Sequence, residues 1–261
     1  MLGAAALWHS IRASLAQNGS FVSQTILADQ AMVELDCGDL PVRAINQRIR
    51  AAISAGARHV RLLHPGARHN LGVGLPAGIE LTVAGSAGYY IAGLNDGASV
   101  MVQGDAGWGA AESMRDGIVV IEGSAGNAVA ASIRAGTVVV RGSASTRAGI
   151  AMKGGILIVA GDVGPMAGFM MQKGVIVVCG DASAGLADSM YAGTVFLGGR
   201  HDELGADAVF EDRSPEDLEL IGSALDHWKV TAPAGGFRKL VSGRKLWNFE
   251  RSERDLWKTA L

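Results

Sequence analysis

Cysteine is nearly absent: Cys37 and Cys179 are the two in the chain. Two thiols are too few for a disulfide framework or a four-thiolate metal cluster, and they read as reduced cysteines of a reducing compartment. Charge of one sign is equally lacking. Lys and Arg total 23 against 25 Asp and Glu, a formal net charge of −2. That balance excludes the basic excess that nucleic acid or an anionic membrane calls for. Charged residues are scarce at 18% while apolar residues reach 49%, a composition that excludes disorder for most of the chain and supplies a substantial core. No run of about 18 uncharged apolar residues occurs, so no spanning helix is expected. The first residues, MLGAAALWHSIRASLAQ, lack a basic n-region and reach His9 and Arg12 quickly. They make a poor secretory leader, and a cytoplasmic location is expected.

Glycine is what the chain has in excess, 37 residues, about twice the usual share, yet far below the one third with strict period three that collagen needs. Between Gly78 and Gly199 lie 25 of the 37, and many keep a fixed step. Gly85, Gly104, Gly123, Gly142, Gly161, Gly180 and Gly199 recur at a constant 19-residue step, and Gly66 extends the column upstream. A second column is Gly78, Gly97, Gly117, Gly136, Gly155, Gly174 and Gly193, with one 20-residue step among steps of 19. A third is Gly88, Gly107, Gly126 and Gly164, with Ser145 and Ser183 at the missing steps.

Between the two main columns each repeat holds one short run rich in Val and Ile, as strands prefer. Val83, Val102, Ile121, Val140, Val159, Val178 and Leu197 stand two positions before the first-column glycines. Leu81, Val100, Val119, Val138, Leu157, Ile176 and Val195 stand four before. Period-two alternation puts both sets on one inward face. The residue just before the glycine varies (Ala84, Gln103, Glu122, Arg141, Ala160, Cys179, Gly198) and reads as facing solvent or a partner. The other half of each repeat carries Met114, Ile133, Met152, Met171 and Met190 as a second inward stack, Met being suited to irregular space. Three positions earlier stand Ala111, Ala130, Gly149, Gly168 and Ala187, small enough for a tight backbone turn. A 19-residue repeat with one strand and glycine corners predicts an all-β core. It is a right-handed, single-stranded parallel β-helix of about seven to eight coils, roughly 35–40 Å long at about 4.8 Å per layer. The Leu/Asn pattern of leucine-rich repeats is missing, and propeller blades need about 40 residues.

The flanks read as caps for the open ends of the column. Residues 1–30 form an N-terminal extension. Residues 31–58 hold a strand around QAMVELD, then a capping helix over Leu40–Ala55 with Val42, Ile45, Ile49 and Ile53 at helical spacing, stopped by Gly56. The β-helix domain spans 59–212. Residues 213–261 open with Ser214-Pro215-Glu216-Asp217, a helix start with N-cap, N1 proline and first-turn acids, and the helix runs to about Trp228. An aromatic tail from Ala232 follows, read as docking on its own or another subunit.

A search for chemistry yields little. His9, His59, His64, His69, His201 and His227 form no ligand motif with the cysteines. Gly72-Val73-Gly74 lacks dinucleotide-binding spacing, and neither a P-loop nor a nucleophile elbow is present. Asp105, Asp162 and Asp181 follow column glycines and alternate with Ser86, Ser124 and Ser143. They read as acceptors for turn amides rather than as paired carboxylates of a glycan-cleaving site. No catalytic, cofactor-binding or metal-ligating residue is expected. Two stretches break the repeat and are the candidates for partner contact: Arg68, His69 and Asn70 after Pro65-Gly66, and Tyr89, Tyr90, Asn95, Asp96 and Trp108. Aromatic residues and Arg are favoured at interface centres. Trp247 and Phe249 of the tail join them.

The repeated G-x-x-G-x-x-x-G coil, cleanest at Gly161, Gly164 and Gly168, resembles the glycine-rich β-helix domain of the glutamate synthase large subunit. The same domain resembles the C subunit of formylmethanofuran dehydrogenase and of formyltransferase/hydrolase complexes. PGARHNLGV (65–73), DAGWGAAESM (105–114), AGIAMKGG (148–155) and SGRKLWNF (242–249) resemble most the stand-alone glycine-rich subunit of N-methylglutamate synthase. The resemblance covers residues 31–250. It implies a non-catalytic subunit of a hetero-oligomer beside a class II glutamine amidotransferase-like subunit and an FMN-binding glutamate synthase-like subunit. FMN, with an iron–sulfur cluster as a further expectation, would belong to a partner. The complex would act as a methylamine–glutamate N-methyltransferase. The alternative is the C subunit of a formyl-transferring complex.

Overall fold

The computed structural model describes residues 32–243. The N-terminal extension, Trp247 and Phe249 lie outside the described residues. Each repeat forms one strand because its Val, Ile and Leu side chains favour a pleated, buried surface. The strands are β1 (Val33–Asp36), β2 (His59–Leu63), β3 (Glu80–Val83), β4 (Asp96–Val102), β5 (Asp116–Ile121), β6 (Thr137–Val140), β7 (Lys153–Val159), β8 (Lys173–Val178) and β9 (Thr194–Leu197). They pair in parallel and in chain order. The register runs Leu81–Val100–Val119–Val138–Leu157–Ile176–Val195, so the 19-residue step of the sequence is the pairing step of the sheet. The chain is a parallel β-solenoid of about seven turns. A second, one-residue-wide parallel ladder joins Ala87, Ala106, Ala125, Ala144, Val163, Ala182 and His201 on the opposite arm. Both inward sets, with Met114, Ile133, Met152, Met171 and Met190, are buried in one continuous core.

The glycine columns answer two different needs. Gly97, Gly117, Gly136, Gly155, Gly174 and Gly193 enter their strands at φ between +72° and +110°, where side chains are strained. Gly104 is not left-handed, but a Cβ there would lie 2.6 Å from Ser86 Oγ and 2.7 Å from Ser86 N, in the neighbouring coil. The return arms carry left-handed residues at alternate positions, such as Tyr90, Ala92 and Leu94, or Ala128, Ala130 and Ser132. The small residues Ala111, Ala130, Gly149, Gly168 and Ala187 adopt φ of +58° to +73°, as a tight turn requires. Such backbone is costly and is held by bonds to both neighbours: Ala92 N–H donates to Leu71 O at 3.1 Å, Leu94 N–H to Glu112 O at 2.8 Å.

Helix α1 (Val42–Ser54) closes the N-terminal end, with Ile45 and Ile49 buried in the solenoid core. Asn46 Nδ2 donates to Asn70 O (2.8 Å) and its Oδ1 accepts from Gly72 N–H (3.0 Å), satisfying groups of the first return arm. At the other end stand β10 (Ala208–Glu211) and β11 (Arg238–Ser242). Strand β11 pairs antiparallel with both β9 and β10. That part of the tail therefore docks on its own chain.

Helix α2 (Pro215–Trp228) begins at a capping box. Asp217 N–H donates to Ser214 Oγ (3.2 Å), and Ser214 N–H to Asp217 Oδ2 (2.8 Å). Lys239 Nζ bridges the buried Asp217 (3.0 Å) and Glu211 (2.7 Å), tying α2 to the terminal strands. Contrary to a purely end-capping role, α2 lies over the outside of the sheet. The outward residues Val120, Val139, Ile158, Val177 and Phe196 form a second buried cluster with Leu220, Ile221, Leu225 and Trp228. The later strands are thus apolar on both faces, the pattern of parallel strands covered on both sides. The residues before the first-column glycines are not uniformly open either. Arg141 donates to Trp228 O (2.6 Å), and Cys179 packs against the outer cluster. Burial pushes the Cys179 thiol up to about 11. Both described cysteines are free thiols. Among the described residues no helix is long and apolar enough to cross a membrane.

Trp228→Ala is expected to cost about 3–5 kcal/mol by opening a cavity under α2. It should also speed the reaction of Cys179, which packs against the same cluster, with a disulfide reagent at neutral pH. Leu218→Ala, at a position 51% exposed, should change stability by no more than about 0.5 kcal/mol. Denaturant unfolding and thiol titration check both.

Candidate functional site

The corner after the third glycine column is where the sequence breaks its own rule. The first three coils carry His69, Tyr89 and Trp108 there, where the coils that follow carry Asn127, Thr146, Pro165 and Ala184. The rings stack along the column: His69 on Tyr89 at 4.3 Å and 16°, Tyr89 on Trp108 at 5.0 Å and 10°. Each stacked pair contributes about 0.5–1.5 kcal/mol beyond area burial. The third-column glycines make the ladder possible. A Cβ on Gly107 would lie 2.6 Å from the Tyr89 ring, and one on Gly126 2.7 Å from the Trp108 ring. Tyr89 N–H donates to His69 Nδ1 at 2.8 Å, which requires Nδ1 unprotonated and leaves the ring proton on Nε2. The outer edge of the ladder stays open, with Trp108 50% and Tyr89 38% exposed. Tyr90, left-handed at φ +60° and 44% exposed, stands beside it.

The other contact candidates are placed differently. Arg68 binds the cap to the first turn: Nε donates to Leu40 O (3.1 Å), Nη1 to Pro65 O (2.9 Å) and Nη2 to Gly38 O. Asn70 is exposed and left-handed at φ +56°, its carbonyl taken by Asn46. Asp96 is exposed at the start of β4 and pairs with Arg115 at 3.4 Å. Asn95 must be removed from the contact set, because it is 0% exposed. Its Nδ2 donates to Ala98 O (2.8 Å) and its Oδ1 accepts from Ala98 N–H (3.2 Å), so it staples the turn into β4 from inside.

The Asp/Ser column is a continuous hydrogen-bond ladder, each side chain accepting the backbone N–H of the same position in the next coil. Asp105 N–H donates to Ser86 Oγ (3.0 Å), Ser124 N–H to Asp105 Oδ1 (2.7 Å) and Ser143 N–H to Ser124 Oγ (3.2 Å). Asp162 N–H then donates to Ser143 Oγ (3.0 Å), Asp181 N–H to Asp162 Oδ1 (2.7 Å) and Arg200 N–H to Asp181 Oδ1 (2.6 Å). Ser and Asp interchange because either supplies one short acceptor. The Arg200 guanidinium, 2.7 Å from Asp181 Oδ2, holds that carboxyl below the usual range. A lowered carboxyl stabilises the fold above the ordinary carboxylate range, and the effect is lost as pH falls through the lowered value. The pair is exposed, so the effect is small. Among the described residues no group of three or more His, Cys, Asp or Glu could hold a metal ion.

A filled solenoid whose regular features are stacked ladders defines the class: a parallel β-helix. The GXGXG motif family model matches residues 46–212, well over half of the chain, and the chain belongs to that family. Membership is consistent with a glutamate synthase-like domain. No curated protein matches the chain.

Asp162→Ala is expected to cost about 1 kcal/mol by orphaning the Asp181 amide, whereas Asp162→Ser should cost little; thermal unfolding of the two variants checks the difference. Gly107→Ala should drive a methyl into the Tyr89 ring, costing about 1–3 kcal/mol and removing the near-ultraviolet dichroism of the stacked rings.

Proposed function

We propose that this chain is a structural subunit of a glutamate synthase-like enzyme, and specifically the β-helix subunit of N-methylglutamate synthase. That complex converts glutamate and methylamine to N-methylglutamate and ammonia. The reading is carried by the GXGXG match over the repeat, together with the four segments that resemble the stand-alone subunit. In this reading the column holds an amidotransferase-like subunit and an FMN-binding subunit in register in the cytoplasm. Flavin, and an iron–sulfur cluster, belong to a partner. The chemistry of the complex requires a small amine or ammonia to pass between two active sites, and a drift in their relative position would lose it to solvent. A solenoid suits the task because each coil is bonded to its neighbours on two arms around a filled core, leaving no soft hinge along the column. The open edge of the His69–Tyr89–Trp108 ladder supplies aromatic contact area of the kind found at interface centres.

Native affinity purification of the tagged chain, with mass spectrometry and a visible spectrum, tests this. Amidotransferase-like and FMN-binding partners with flavin absorption are expected. Colourless material carrying an amidohydrolase-like and a formyltransferase chain would overturn it in favour of the formyl-transferring complex, and a chain that purifies alone would overturn both.

A further inference from the structure

A second column of surface residues has no explanation in the fold. At or just before the starts of the strands of successive coils stand Arg115, Arg134, Lys153 and Lys173, all exposed. A register shift at the start of β7 sets Lys153 and Lys173 side by side as direct partners. Gly154 adjoins Arg134 so closely that a Cβ on it would meet Arg134 O. The four cations therefore climb one edge at one coil per step, about 4.8 Å. Arg115 pairs with Asp96, but Arg134, Lys153 and Lys173 make no ion pair or side-chain hydrogen bond among the described residues. The local stretches 131–135 (ASIRA), 150–154 (IAMKG) and 169–173 (FMMQK) contain no acid. In a chain of net charge −2 this segregation is local. Like charges stacked on neighbouring strands oppose folding, so the fold does not call for them.

The dimensions select the shape of the partner. A helix with one carboxylate per turn repeats every ~5.4 Å. Across three coil steps it drifts by only about 2 Å from the cations, within side-chain reach. An extended strand presents one face every ~6.6 Å and drifts by about 5 Å across the same span. Ser132, Ala135 and Ala151, small and partly exposed beside the cations, leave room for a helix backbone to approach. At the C-terminal end of the column stand Met170 and Tyr191, 38% and 45% exposed, apolar surface for the neighbouring stripe of an amphipathic helix. We propose that the Arg134–Lys153–Lys173 edge docks an acidic amphipathic helix of a partner protein. The proposal concerns this chain's own surface and stands whatever enzyme the chain serves.

The test uses the full chain and a synthetic helical peptide with Glu at alternating three- and four-residue steps and Leu beside them. Binding is expected, weakening as salt rises from about 50 to about 300 mM. It should weaken roughly tenfold or more in the triple variant Arg134→Glu, Lys153→Glu, Lys173→Glu, where three attractions become repulsions. A proline-interrupted peptide of the same composition should bind much less. The triple Ala variant should keep or raise the melting temperature, since like-charge repulsion is removed. Equal binding by the charge-reversed chain, equal binding of the interrupted peptide, tighter binding of inorganic polyphosphate, or a lowered melting temperature of the Ala variant would each overturn the proposal.

Discussion

The spacing between successive backbones, about 4.8 Å along the column, is the constraint on which the rest of the molecule depends. At that distance a side chain sits directly on its counterpart one repeat away, and some positions have no room for a side chain at all. Gly104 and its column equivalents are required because the neighbouring coil occupies the place of their Cβ atoms, as Ser86 does at Gly104. The second glycine column is required for a different reason, its left-handed backbone at the strand entrance. With both satisfied, each repeat returns the chain to the same place, and the register of the sheet becomes the period of the sequence.

That spacing makes ladders of whatever the sequence repeats. Apolar residues become a continuous core. Ser and Asp become a chain of acceptors for the next coil's amide, from Ser86 to Arg200. Rings become a stack with centroids 4.3 and 5.0 Å apart. Uncompensated cations become a stripe. The first two ladders stabilise the column; the last two present chemistry on its surface.

Much of this was legible in the sequence. The 19-residue step, the inward Val/Ile/Leu positions and the Met stack all follow from period-two alternation and glycine spacing, and Ser214-Pro215-Glu216-Asp217 announces its helix by capping chemistry alone. What was not legible depended on long-range packing. The outward residues Val139, Ile158 and Phe196 fit a buried strand equally well whether or not a helix covers them, so the position of α2 on the sheet's outer face required coordinates. Asn95 has the residue type of a surface contact, and only the tight turn into β4 shows it turned inward. Tyr89 and Trp108 were visible as breaks in the repeat, but the stacking of Tyr89 on His69 depends on a 20-residue step between the first coils in place of the usual 19.

The chain is a GXGXG family member, and the role proposed for it is to position two partner subunits. The most direct measurement is reconstitution of the complex with and without this chain, following each partner's own half-reaction and the coupled overall reaction separately. The account predicts that both half-reactions persist without the chain and that coupled product formation collapses. Coupled turnover unchanged in its absence, or loss of a half-reaction itself, would contradict it.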